Sequence, residues 1–175
     1  IDTPAEPEKL LGAIGDVQIK SILITHKHQD HLLGFDEITG AVQVPVGIGT
    51  DDADGLPRPP QLDLKDGMVI KFGNQEMTVL DTPGHTEGAT CFLIGKHLFS
   101  GDTLFPGGPG KTRSPEALQQ VIDSITKKLL VLPDDTAVYP GHGDDTTIGE
   151  AREQYQVFAS KPRDPGLFGD VAWLV

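Results

Sequence analysis

An α/β fold follows from three features of the sequence. Strand-patterned and helix-patterned segments alternate in both halves of the chain. The run Ile22, Leu23, Ile24 is continuously apolar, which marks a strand buried on both faces rather than one with a solvent side. Clusters of histidine and aspartate recur directly after short apolar runs, and strand ends in α/β sheets are where sites are built. A chain of 175 residues suits one domain, spanning 1–175, with room for a substantial core.

The elements follow in order. Pro7 to Ile14 carries a helical pattern (Leu10, Leu11, Ile14) closed by Gly15. Gln18 to Thr25 is the first strand, Asp30 to Ile38 a short helix ended by Gly40, and Val42 to Ile48 a short strand interrupted at Pro45. Asp51 to Pro60 mixes proline, glycine and aspartate and reads as a surface loop. Met68 to Phe72 and Met77 to Leu80 flank Gly73-Asn74 as a hairpin, and Thr90 to Ile94 and Leu98 to Ser100 flank a second glycine turn. Pro115 to Leu130 is the clearest helix. Ser114 serves as N-cap, Pro115 takes the first helical position, and Leu118, Val121, Ile122, Ile125 and Leu129 share a face. Ala137 to Tyr139 is a strand and Thr147 to Phe158 the last helix.

Composition narrows the function. With 26 acidic against 14 basic side chains the formal net charge is −12, which disfavours binding to a phosphate backbone and hence RNA processing. No apolar run is long enough to cross a bilayer and no signal peptide is visible, so the expected location is the cytoplasm. The single cysteine, Cys91, excludes an internal disulfide and a thiolate-rich structural zinc site. It reads as a small core side chain.

The chemistry concentrates at Thr25-His-Lys-His-Gln-Asp-His31. Three of the six histidines fall between positions 26 and 31, together with Asp30. Imidazoles this close repel one another once protonated, and their ring nitrogens need partners. A divalent metal satisfies His26, His28, Asp30 and His31 at once. Downstream, His85 follows Val79 to Gly84, Asp102 follows Leu98 to Gly101, and His142 follows Val138 to Gly141. Each is a short strand, a glycine that lets the backbone turn sharply, and then a ligand-type residue. His97, in the turn Gly95-Lys96-His97, has no such setting and reads as a surface residue.

The segments Thr-His-x-His-x-Asp-His (25–31), Thr-Pro-Gly-His-Thr-x-Gly (82–88), Ser-Gly-Asp-Thr-Leu-Phe (100–105) and Tyr-Pro-Gly-His-Gly (139–143) together resemble the metallo-β-lactamase superfamily. The nearest likeness is to its glyoxalase II-like hydrolases. The resemblance implies a four-layer αβ/βα sandwich with a two-metal site at the sheet edges, and family strands that precede the segment starting at Ile1. It implies that His26, His28 and His85 hold one metal, Asp30, His31 and His142 the second, and that Asp102 bridges them. Zinc suits this donor mixture, and iron or manganese fits nearly as well. The implied reaction is hydrolysis of a small thioester or ester by a hydroxide shared between metals about 3.5–4 Å apart, with Asp30 orienting the nucleophile and relaying its proton.

The glycine-rich segment 106–111 follows the bridging aspartate and reads as a wall of the substrate pocket. By resemblance Lys111 is the basic residue that holds a substrate carboxylate, with Arg113 as the second candidate; Thr86 and Thr103 follow ligands and are candidate supporting donors. Two departures stand out. Only 33 residues follow His142, too few for the helical C-terminal extension of glyoxalase II enzymes, and Gly143-Asp144-Asp145-Thr146 replaces their aromatic residue. The resemblance therefore carries hydrolysis further than it carries specificity for glutathione. The alternatives are a mononuclear-iron persulfide dioxygenase and a lactonase; a bridging aspartate at 102 disfavours a penicillin-type β-lactamase. The expected partner is a small-molecule substrate, without nucleic acid or membrane. An unpaired edge of the first sheet adds the prospect of a homo-oligomer.

Overall fold

The computed structural model describes residues 1–174. Its helices are α1 (Pro7–Ile14), α2 (Phe35–Val42), α3 (Pro115–Ser124) and α4 (Ile148–Ala159). Strands β1 (Ile22–Leu23), β2 (Val46–Gly49) and β3 (Leu62–Leu64) form one parallel sheet in the order β1-β2-β3. A larger sheet runs β11-β10-β7-β6-β5-β4, built from β4 (Val69–Phe72), β5 (Gln75–Asp81), β6 (Thr90–Ile94), β7 (His97–Gly101), β10 (Ala137–Pro140) and β11 (Thr146–Thr147). Between them in sequence, β8 (Leu104–Phe105) and β9 (Gly108–Pro109) make a small antiparallel hairpin.

Three separate apolar clusters give the layering. Ile22, Ile24, Val46 and Ile48 pack against Phe35 and Ile38 of α2, joining the small sheet to its helix. Leu23 and Leu64 on its other face meet Met77, Val79 and Phe92 of the large sheet. Cys91, Leu98 and Val138 on the far side of the large sheet meet Leu118, Val121 and Ile122 of α3 and Ile148 and Ala151 of α4. Helix, sheet, sheet, helix is the four-layer order, and both faces of Ile22–Ile24 are covered, as the continuous apolar run requires.

Helix α3 behaves as its sequence dictates. Ser114 Oγ accepts a hydrogen bond from the Ala117 amide at 3.2 Å, and Pro115 costs nothing at a position whose amide has no helical partner. Leu118, Val121, Ile122, Ile125 and Leu129 are all buried, each contributing up to about 1.5–3 kcal/mol. The last turn, Ile125–Leu129, widens: the Leu130 amide bonds the Ile125 carbonyl, five residues back. In α4, Thr147 and Glu150 complete a capping box.

Several elements differ from the sequence expectation. The first strand shrinks to Ile22–Leu23, because its neighbour β2 starts only after Pro45, which has no amide to donate. The helix expected over Asp30–Ile38 divides into a 3-10 turn at Gln29–His31 and α2. Gly34 caps α2, and a side chain there would run into the Pro4 carbonyl at 2.6 Å. The helix then passes Gly40 and ends at Gln43, which takes the left-handed conformation. The loop 51–60 contains a 3-10 segment, Thr50–Gly55, and is followed by the unexpected strand β3.

Buried Cys91 donates its S–H to the Ser100 carbonyl and lies 3.2 Å from Thr82 Oγ1. Burial pushes its thiol pKa up to about 11, against the pull of Thr82 and Thr103. The native thiol therefore stays protonated at neutral pH, and this group weakens stability only as pH rises from the ordinary thiol value towards 11. Native protein is expected to leave a thiol-specific chromogenic reagent unreacted at pH 8, and denatured protein to react with one equivalent. Stoichiometric labelling of the folded chain within minutes would contradict this burial.

Candidate metal centre

Strand directions bring the ligand-type residues together. The steps β5 to β6 and β6 to β7 are both antiparallel, so β5 and β7 point the same way, and β10 lies parallel to β7. The C-terminal ends of β5, β7 and β10 therefore share one sheet edge, and they lead into His85, Asp102 and His142. The pairing of β10 with β7 slips at Tyr139/Pro140, and the Gly141 amide then bonds the Gly101 carbonyl at 2.9 Å, which sets His142 beside Asp102. From the small sheet, the end of β1 delivers Thr25 to His31; the Thr90 amide bonds the Thr25 carbonyl at 2.9 Å and ties this loop to the large sheet.

All seven expected ligands converge. The donor atoms of His26, His28 and His85 lie within 4.8 Å of one another, as do those of His26, His31 and Asp102, and those of Asp30, His31 and His142. His85 Nε2 is 2.8 Å from His28 Nδ1. Asp102 stands between the groups: Oδ1 is 3.2 Å from His31 Nε2, and Oδ2 is 3.1 Å from His142 Nε2 and 3.6 Å from His85 Nε2.

The far ring nitrogens of His85, His31 and His26 are anchored, which fixes which atom of each faces inward. His85 Nδ1 is 2.8 Å from the Lys111 carbonyl, and His31 Nδ1 is 2.9 Å from Asp2 Oδ2. His26 Nδ1 is 3.0 Å from Thr25 Oγ1, while its buried Nε2 has no hydrogen-bond partner among the described residues. An orphaned buried ring nitrogen among converging ligand atoms is what a cation site requires, since it would otherwise cost its desolvation. Glycines make the approach possible. A Cβ on Gly141 would overlap Asp102 Oδ1 and His31 Cε1, and one on Gly110 would overlap the Asp102 carbonyl.

The electrostatics divide the histidines. Burial, then the neighbouring imidazoles led by His31, pushes His26 down to about 2, offset in part by Asp102. Burial and His85 and Arg113 lower His28. His31 goes the other way: burial opposes its charge, but hydrogen bonds to Asp102 and Asp2 raise it to about 10. Asp102 is held well below the usual carboxylate range, because contact with His31 and the charges of His26, His31 and His142 outweigh its burial.

Residues 3–142 match the family model described as the metallo-beta-lactamase superfamily. The chain belongs to the metallo-beta-lactamase superfamily. Among relatives in that superfamily, a hydroxyacylglutathione hydrolase of Alkalilimnicola ehrlichii is 35% identical over 93% of this chain and 60% of its own length. The hydroxyacylglutathione hydrolase GloC of Haemophilus influenzae is 32% identical over 92% of this chain and 87% of its own. The crystal structure of TTHA1623, described as di-iron-bound, is 33% identical with a TM-score of 0.70, covering 85% of this chain and 83% of the other. The chain spans about 60% of the length of several of the curated relatives it matches.

In this metallo-beta-lactamase domain the two expected substrate residues face different spaces. Lys111 lies at the rim of a cavity of about 540 Å³ bounded by Asp30, Asp102, Phe105 and His142, with its Nζ 3.5 Å from Asp170. Arg113 lines a second cavity of about 410 Å³ on the α3 side of His28 and His85, its guanidinium 3.3 Å from His28 Nε2. Thr103 Oγ1 meets Thr82 Oγ1 at 2.9 Å and links the Asp102 and His85 loops. His97 stays exposed at the start of β7, beside the Tyr139 hydroxyl.

Two contributors escaped the sequence. Asp2, in a left-handed conformation, accepts from the Thr25 amide and hydroxyl as well as facing His31. An aspartate before Thr-Pro reads only as a turn. Asp170 to Ala172 form the far wall of the larger cavity, held by a bond from the Trp173 amide to the Gly107 carbonyl at 2.7 Å; the apolar Val171 and Trp173, both buried in the core, were the sequence signal for it.

Proposed function

We propose that the chain is a binuclear metal-dependent hydrolase of a small thioester or ester, of the glyoxalase II type. The observation that carries this reading is Asp102, whose two carboxylate oxygens face histidines of both ligand groups. His26, His28 and His85 would hold one ion and Asp30, His31 and His142 the other, with Asp102 available to both. Zinc suits this donor set, with iron or manganese as the other fits, and a pair of such ions supplies an activated water and a Lewis acid for the carbonyl oxygen. Relatives named as hydroxyacylglutathione hydrolases support the substrate class, and the di-iron form of TTHA1623 supports a two-metal centre.

The chain's own groups then have defined tasks. Asp30 borders the larger cavity with an exposed carboxylate, so it can orient the attacking water, take its proton and pass it to the leaving thiolate or alkoxide. Phe105, its ring 5.0 Å from that of His142, covers one side of the reacting centre. Lys111, at the rim, places a cation where a substrate carboxylate would lie; its exposed pairing with Asp170 is weak enough to exchange for one.

Metal quantitation on protein made without added zinc, followed by a thioester and lactone panel, tests the reading. Two ions per chain and thioester turnover that is lost on chelation and regained with zinc are expected. A single iron with oxygen uptake on a persulfide would overturn it, and hydrolysis of lactones alone would move the substrate class.

A further inference from the structure

We propose that Asp52 is a positioning residue that locks the His26–His28 loop against the His85 loop and so presets the spacing of the first ligand group. Sequence alone puts Asp52 in a surface loop. In the structure its side chain is fully buried within the 3-10 segment Thr50–Gly55. Oδ2 accepts from the Lys27 amide at 3.1 Å and from the Thr86 hydroxyl at 2.6 Å; Oδ1 accepts from the Gly88 amide at 3.0 Å. Lys27 Nζ adds a cation 3.6 Å from Oδ1.

A carboxylate offers only acceptors, and here every donor comes from one of two loops. One donor residue, Lys27, lies between His26 and His28. The others, Thr86 and Gly88, follow His85 directly and at the third place. The same group thus bonds both halves of a triad whose nearest nitrogens, on His28 and His85, are 2.8 Å apart. The packing is equally close. A Cβ on Gly88 would meet the Asp52 amide nitrogen at 2.5 Å and its Cγ at 2.9 Å, and one on Gly49 would overlap the Gly88 carbonyl. The Thr and final Gly of Thr-Pro-Gly-His-Thr-x-Gly thereby acquire a physical reason: both are partners of Asp52.

Asp52 bonds none of Asp30, His31, His142 and Asp102; of these, His31 is held by Asp2 instead. Its removal should therefore be felt by one ligand group and not the other. This asymmetry separates positioning from general loosening. The inference rests on reading His26, His28 and His85 as a metal group, but not on any substrate.

The test compares Asp52→Ala and Thr86→Val with the parent chain. In metal-free protein, amide exchange at Gly88 and the ring-to-ring Overhauser contact between His28 and His85 report the clamp directly. Zinc titration against a chromophoric chelator, with histidine ¹⁵N spectra to show which rings are loaded, reports the consequence. Asp52→Ala is expected to weaken zinc at His26, His28 and His85 about tenfold or more, and to change loading of Asp30, His31 and His142 by less than about twofold. Gly88 exchange should accelerate and the His28–His85 contact fade. Thr86→Val removes a single bond, so it should fold even if Asp52→Ala does not, and give a smaller effect of the same kind. Parent-like values in both variants would overturn the proposal, and so would equal weakening of the two groups. Failure of the parent to hydrolyse any thioester would count against the hydrolase reading and leave these measurements to judge Asp52.

Discussion

Asp102→Ala is expected to lower turnover by more than about a hundredfold and to leave less than one tightly held metal per chain, since even partners one shell further out cost 10–100-fold. Among the described residues, Asp102 is the one carboxylate within 3.6 Å of His31, His85 and His142 together. Each histidine group retains its own remaining donors, so weak binding of single ions would persist at high concentration. On the proposed two-metal reading, what would disappear is the shared anion that lets two cations approach one another. Metal content after dialysis against a mild chelator, together with kcat/KM on the best thioester, checks this. Two retained ions with turnover within a few-fold of the parent would remove Asp102 from the bridging position.

Gly141→Ala is expected to have nearly as large an effect for a different reason. Its Cα sits so near the centre that one methyl group would occupy the space of Asp102 Oδ1 and the edge of the His31 ring. Neither can simply retreat, because His31 is held from behind by Asp2 and Asp102 lies on the short link between β7 and β8. Gly141 itself is exposed, so the apolar core has no part in the change. Turnover should drop at least about tenfold while the melting temperature of the metal-free chain moves by only a few degrees. Parent-like turnover would mean that the ligands have more room than the close approach implies; a large loss of stability would mean that the clash spreads into the sheet.

Local signals made the ligand loops legible, and tertiary partners hid the rest. Ser114-Pro115 announces a helix start through its own cap and fixed φ, and α3 begins there. The three ligand loops of the large sheet could be read because each pairs a short apolar strand with a glycine and a ligand-type side chain, a pattern contained within a few residues. Asp2, Asp52 and the wall at 170–172 could not. Asp52 stands among Asp51 and Asp54, with which it shares composition but not surroundings; donors from Lys27, Thr86 and Gly88, all distant in sequence, make its burial affordable. Strand β3 was hidden likewise, since Leu62-Asp63-Leu64 follows two prolines and gains its identity from pairing with Gly47 to Gly49. The helix break at Gly34 depends on Pro4, across a turn of chain that no periodicity analysis connects.

The division of the apolar interior into three clusters has a consequence for how the molecule holds together. His26, His28, Asp30 and His31 leave the small sheet; His85, Asp102 and His142 leave the large one; and an apolar cluster centred on Leu23, Leu64, Met77, Val79 and Phe92 fills the space between the two. The ligand cluster thus straddles the seam of the sandwich, and any ion bound there acts as a rivet driven through both plates. Its binding free energy adds to their cohesion by linkage, whatever it does for a substrate. A chain starved of metal would then be weakest along that seam. Scarcity of the ion would shorten its survival against proteolysis as well as silence it.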